Sequence, residues 1–90
     1  MKVIKVGAVW CATCLAMKPA WQKVEQQLPW LETEYFDFDQ DQEKIKSYRI
    51  ESDQVPVFVF LDKEGKEIKR LTGEHKPEEL VDLCEALKDK

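Results

Sequence analysis

The run Val55-Pro56-Val57-Phe58-Val59-Phe60-Leu61 constrains this chain more than any other stretch. A strand with one face in water alternates apolar and polar residues; this run does not alternate. Residues 56–61 therefore read as a strand buried on both faces, in the middle of a sheet. The remaining segments of a 90-residue chain must then cover both faces of that sheet, which calls for helices.

The rest of the chain supplies them. Residues 2–8 carry β-branched Val3, Ile4 and Val6 and read as a first strand. A helical pattern follows, with Cys14, Met17, Trp21, Val24 and Leu28 on one stripe. Pro19 falls inside it and should kink it; Pro29 stands just past its end. Residues 33–38 read as a second strand. Asp39 is placed to cap a short helix over about residues 41–49, with Gln42 as its reciprocal partner and Ile45 and Tyr48 as apolar contacts. After the central strand, Asp62-Lys63-Glu64-Gly65 is a turn, and residues 66–72 return antiparallel. Pro77 suits the first position of a last helix, whose stripe is Leu80, Leu83, Cys84 and Leu87. The order is β-α-β-α-β-β-α. Strands joined through helices should be parallel, and the final hairpin antiparallel, giving a mixed four-stranded sheet with helices on both faces.

The length fits one domain over residues 1–90. Charged residues make up 36% of the chain, and the net charge is −4 with both signs interspersed. There is no basic stripe for nucleic acid and no attraction to anionic membranes. The apolar run at 55–61 is far too short to span a bilayer. The apolar N-terminal stretch is interrupted by Lys5 and does not resemble an export signal. A cytoplasmic protein is expected, and a monomer, since no long apolar stripe is left over.

Three cysteines is an odd number, which a secreted disulfide scaffold would usually avoid. Two of them form Trp10-Cys11-Ala12-Thr13-Cys14, at the seam between the first strand and the first helix. A helix N-terminus leaves backbone N–H groups unpaired and carries partial positive charge, so a thiolate is stabilised there. Residues three apart on a helix share a face, so the two sulfurs can meet. Cys11 lies at the mouth of the turn and Cys14 one turn inward. Cys11 would attack a partner disulfide, and Cys14 would resolve the mixed disulfide. Zinc needs four ligands. Only Cys84 and His75 remain, neither in a ligand-spaced pair, so no metal is expected.

The chain resembles thioredoxin over nearly its full length. The resemblance rests on Trp10-Cys11-x-x-Cys14, Pro19 five residues on, Val55-Pro56 before a strand, the hairpin Asp62-Lys63-Glu64-Gly65-Lys66, and Gly73 after the last strand. It implies an α/β thioredoxin-like fold with strand order 2-1-3-4. It implies a protein-disulfide reductase working through a redox-active Cys11–Cys14 disulfide, with no other cofactor. Protein disulfides would be its substrates, and a thioredoxin reductase or similar donor its source of electrons. It also implies a cis peptide before Pro56 and a docked substrate backbone pairing at Val55. Trp10, Ala12, Thr13, Val55, Pro56 and Gly73 would form the surrounding substrate patch.

The chain departs from the family in four places. The resemblance starts at the family's central strand, without its usual N-terminal strand and helix. Ala12-Thr13 replaces Gly-Pro between the cysteines. Lys5 stands where the family usually has a buried Asp, and Tyr35 stands where that Asp's lysine partner usually falls. A lysine on a central strand is costly to bury unpaired. Either Lys5 lies beneath the cysteines and tunes them, or its stem reaches the sheet end or a carboxylate such as Asp37.

Cys84, on an apolar stripe, reads as a core residue rather than a regulatory thiol. His75 reads as a solvated turn residue. The short form and the altered dipeptide leave two other enzymes open: a glutaredoxin-like, glutathione-linked reductase and a disulfide isomerase. A peptide-binding module on the same fold is the non-enzymatic alternative.

Overall fold

The computed structural model describes residues 1–90. Four strands and three helices follow one another as β1 (Lys2–Gly7), α1 (Ala12–Gln27), β2 (Glu32–Asp37), α2 (Gln42–Ile45), β3 (Val57–Leu61), β4 (Glu67–Thr72) and α3 (Pro77–Leu87). The sheet order is β2-β1-β3-β4. β1 runs parallel to β2, and β3 runs antiparallel to both β1 and β4. The sheet is the mixed, four-stranded α/β sheet expected, but the parallel rule holds only for β1 and β2. β3 follows β2 through α2 and yet runs antiparallel to β1 and so to β2. The four-residue α2 and the turns after it do not carry the chain back along the sheet, so β3 starts at the end where β1 finishes.

All five residues of β3 are buried, because a layer covers each face of the sheet. On one face Val3, Phe58 and Phe60 meet Met17, Trp21 and Val24 of α1 and Leu80 and Cys84 of α3. Trp21 packs edge-on to Phe58 with ring centroids 5.2 Å apart, the arrangement aromatic quadrupoles favour. On the other face Ile4, Val6, Val57, Val59 and Leu61 pack against Ile45 of α2. Leu83 and Leu87 border the first cluster without being fully buried. Removing a wholly buried side chain such as Leu80 would cost about 2–5 kcal/mol.

The β3–β4 turn is built as its residues suggest. The Asp62 carboxylate accepts the N–H groups of Glu64 and Lys66, each at 2.9 Å. Gly65 takes φ +84°, a conformation open to glycine. Helix α1 passes through Pro19 to Gln27. Pro19 is exposed, so the carbonyl it leaves unpaired can face water.

Two local expectations need correction. Asp39 does not cap α2: the cap position is Asp41, and its side chain makes no capping bond. The Asp37 carboxylate instead accepts the N–H groups of Asp39 and Gln40 at 2.8 and 3.1 Å. This Asx-type turn delays the helix. The helix is also shorter than the span 41–49. It gives way to a 3₁₀ turn over Lys46–Tyr48, which Arg49 closes at φ 56°. A second 3₁₀ turn, Ser52–Gln54, carries a reciprocal capping box between Glu51 and Gln54 and delivers the chain to Val55.

Candidate active site

β1 ends at Gly7, and a tight turn closed by Cys11 N–H to Ala8 O at 3.2 Å starts α1. Cys11 itself is the N-cap. Its sulfur accepts the Cys14 N–H at 3.1 Å, the place a Ser or Asp oxygen usually takes. The first turn of α1 holds no acidic residue, so the positive end of the helix faces Cys11 uncompensated. All three cysteines are free thiols. Cys11 is half-buried, whereas Cys14 is 4% exposed. Burial first, and then its hydrogen bond with Cys11, push the Cys14 thiol from 9.0 up to about 12. One sulfur is thus open to a partner, and the other is held protonated beneath it.

The chain arriving from the 3₁₀ turn completes the rim. The Cys11 thiol points to the Val55 carbonyl at 3.9 Å, and the Val55–Pro56 peptide is cis. Gly73 N–H donates to Pro56 O at 3.0 Å with φ +82° at Gly73. Trp10 is 55% exposed and Val9 69%. Ala12 is exposed and Thr13 half-buried on the first turn of α1. Trp10 is held from below: its indole N–H donates to Asp39 at 2.7 Å, and its ring meets Phe38 edge-on. Asp39, expected to cap a helix, thus orients Trp10. Trp10, Cys11, Ala12, Thr13, Val55, Pro56 and Gly73 share one end of the molecule, where β1, β3 and β4 meet their loops.

Lys5 is not on that surface. It lies one layer inward, on the α1 side of β1. Its ammonium pairs with Glu25 at 2.7 Å, not with Asp37, and stands 5.8 Å from the Trp21 ring centroid. Thr33 donates to the same Glu25 oxygen at 3.1 Å. Asp37 is two residues beyond Lys5's register partner Tyr35, and its carboxylate is taken by the turn. A cavity of about 30 Å³ brings Lys5, Gly7, Cys14, Trp21, Tyr35 and Pro56 together, so Lys5 adjoins Cys14 rather than Cys11.

Gly7 escaped the sequence reading. A Cβ there would stand 2.9 Å from the Tyr35 hydroxyl and 3.2 Å from Cys14 Cβ. The available signal was a glycine ending a strand, which marks close approach of another group. His75 is also tied down rather than solvated. Its ring nitrogens face Glu79 at 2.8 Å and the Thr72 carbonyl at 2.9 Å, and its N–H meets Met17 Sδ at 3.5 Å. It pins the end of β4 to α3. Cys84 is fully buried, and burial pushes its thiol from 9.0 to about 11.

A partly exposed thiol at a helix N-terminus, over a buried partner and beside a proline-led strand, is the arrangement that dithiol chemistry calls for. A family model described as thioredoxin matches residues 1–88, and the chain belongs to the thioredoxin family. No curated protein matches it in sequence. Solved structures are similar throughout. Thioredoxin from Fasciola hepatica is 28% identical with TM-score 0.83, over 96% of this chain and 79% of that one. Mitochondrial thioredoxin 3 from Saccharomyces cerevisiae, in its oxidised form, is 28% identical with TM-score 0.81, over 96% and 77%. Thioredoxin 1 from Thermosipho africanus is 26% identical with TM-score 0.79, over 96% and 92%. Family and fold together support a thiol–disulfide oxidoreductase. The family implies protein substrates and a reductase partner in general.

Proposed function

We propose that this protein reduces disulfides in other proteins through a Cys11–Cys14 dithiol cycle. The observation that carries the reading is the asymmetry of the pair: Cys11 caps a helix with no acidic first turn, while Cys14 is buried beneath it. Cys11 as thiolate attacks a partner disulfide, forming one S–S bond as another breaks, and the first partner sulfur leaves with its electron pair. Cys14 loses its proton and attacks Cys11. The Cys11–Cys14 disulfide forms, and the second partner sulfur departs reduced. The chain ends oxidised by two electrons and is returned by an external donor, a thioredoxin reductase or a similar dithiol partner. No resident cofactor takes part besides the disulfide itself.

The substrate lies across Trp10, Ala12, Thr13, Val55, Pro56 and Gly73. Its extended backbone adds alongside Val55, since main-chain groups at a strand start can pair with an added strand. Trp10, fixed by Asp39, offers an apolar platform. Lys5 tunes the pair from beneath by placing positive charge near Cys14, held there by Glu25. We place the protein in the cytoplasm, as a monomer: a reducing compartment suits an odd number of cysteines.

The test is the redox equilibrium of the Cys11/Cys14 pair against a reference thiol couple, acid-trapped and read by mass. A strongly reducing pair is expected. A markedly oxidising pair would transfer the assignment to isomerase or glutathione-linked chemistry. A pair that forms no disulfide at any poise would leave only a peptide-binding role.

A further inference from the structure

The resolving step must move a proton from a place the substrate closes off. Cys14 is buried in the free protein, and a partner docked over Cys11 and Val55 covers the side from which Cys11 is reached. Its thiol, pushed to about 12, must nevertheless lose that proton for Cys14 to attack.

The structure holds a second way out. The cavity beneath Cys14 has a volume of about 30 Å³, enough for a water molecule. Its walls include Lys5, Tyr35 and Trp21. Trp21 is 2% exposed, and its indole N–H is the one buried side-chain polar group without a hydrogen-bond partner. A buried donor left unpaired costs stability. The cavity is largely apolar, but Lys5, Tyr35 and Cys14 on its wall give a water polar partners, and that water supplies the missing acceptor. Beyond the cavity lies an outer cleft between α1 and the β2 edge, lined by Lys5, Lys18, Gln22, Glu25 and Tyr35. Lys5, Lys18 and Tyr35 line both. The phenol oxygen is wedged against Gly7 on the side where Cys14 also sits.

We propose that this cavity is a lateral proton port, in which a buried water joins the Cys14 thiol to Tyr35 and Tyr35 passes the proton into the outer cleft. The proposal rests on the dithiol cycle above. In the step, the Cys14 S–H bond breaks and its proton goes to the water. The water passes a proton to the Tyr35 oxygen while the phenol's own hydrogen leaves into the cleft. The Cys14 electron pair forms the bond to Cys11, and the departing partner sulfur takes its proton from solvent on the docking side. A neutral phenol can accept and donate at once, so it relays without ionising. Burial first, then the negative charge of Asp37, hold Tyr35 above its ordinary 10.0 and so neutral. The charged groups around the port are Lys5 from β1, Lys18 and Glu25 from α1, Asp37 at the end of β2 and Asp41 at the start of α2. The β3 segment brings only Phe58, and Pro56 just before the strand, to its wall.

The test follows the mixed disulfide with a disulfide-bonded peptide in a single turnover, quenched with acid. Tyr35→Phe keeps the ring and removes the oxygen. Decay of the mixed disulfide should slow about tenfold or more, while alkylation of Cys11 by iodoacetamide stays within about twofold of the parent. Raising the pH or adding imidazole, a diffusible proton carrier, should restore the decay. Lys5→Met, which keeps Tyr35, should slow decay less. Unchanged decay in Tyr35→Phe overturns the port, as does an equal fall in decay and alkylation that imidazole does not relieve. A parent protein that forms no mixed disulfide overturns the dithiol cycle and the port with it.

Discussion

The Cys14 N–H donates to the Cys11 sulfur at 3.1 Å, so the attacking atom sits in the capping position of α1 and feels the helix end directly. A carboxylate brought into the first turn would compete for the same positive end. Ala12→Asp should therefore slow Cys11 alkylation at pH 7 by about twofold to fivefold, the equivalent of about 0.3–1 kcal/mol. The effect should shrink in high salt. An alkylation rate equal to the parent's would show that the helix end does not activate Cys11.

Replacing Cys14 removes the second step alone. Cys14→Ser should accumulate a stable mixed disulfide between Cys11 and a protein substrate, visible by mass as the sum of the two chains. Cys11→Ser should form none. Mixed disulfide on Cys14 in the Cys11→Ser protein would reverse the roles assigned from burial.

Lys5 and Glu25 form a partly shielded pair at 2.7 Å. Losing the carboxylate strands an ammonium beside Trp21, whereas Lys5→Met substitutes an apolar chain of similar length. Glu25→Gln should cost about 1–2 kcal/mol in chemical denaturation, less than a fully buried pair because both ends see solvent. Lys5→Met should cost less. If Lys5 also tunes the cysteines, Lys5→Met should slow Cys11 alkylation at neutral pH, and Glu25→Gln should not.

Much of this was legible before the structure, for a definite reason. An unbroken apolar strand, helical stripes and a Cys-x-x-Cys at a strand–helix seam are local patterns. They predict the element order and a mixed sheet. The strand order came from the family resemblance, and the crossover rule missed the antiparallel direction of β3. Side-chain partners are not local. Glu25 finds Lys5 only because α1 is laid on β1 at one particular rotation. Asp39 looks like a helix cap in one dimension, but the Asx turn of Asp37 delays the helix and frees Asp39 for Trp10, twenty-nine residues away. Tyr35 and Gly7 are separated along the chain and meet only through the parallel pairing of β1 with β2. The cavity beneath Cys14 exists only in the packed molecule.

Gly73 holds φ +82° with open space where a Cβ would go, and its N–H is bonded to Pro56 O. Gly73→Ala meets no neighbour, so its cost is backbone strain alone, about 1–2 kcal/mol. Strain there should also loosen the rim beside Pro56. The expected kinetic signature is a raised KM for a protein disulfide with kcat largely kept. A fall in kcat at constant KM would mean that the loop serves the chemical step instead of docking.

Alkaline stability reports the two buried thiols. The unfolded chain titrates its cysteines near 9.0, while Cys14 and Cys84 are held at about 12 and about 11 in the folded protein. Between those values the unfolded state binds fewer protons than the folded one, so stability must fall as pH rises. The contribution is whole below about pH 9, shrinks above it and is gone once pH passes the folded values. Cys84 gives the cleaner test, since Cys14 is also a member of the redox pair. Denaturation midpoints measured between about pH 8 and pH 11 should fall less steeply in Cys84→Ala than in the parent. The variant starts lower because of the small cavity it leaves. Parallel slopes would mean that Cys84 reaches water before it ionises, and fast alkylation of the native protein at that thiol would then follow.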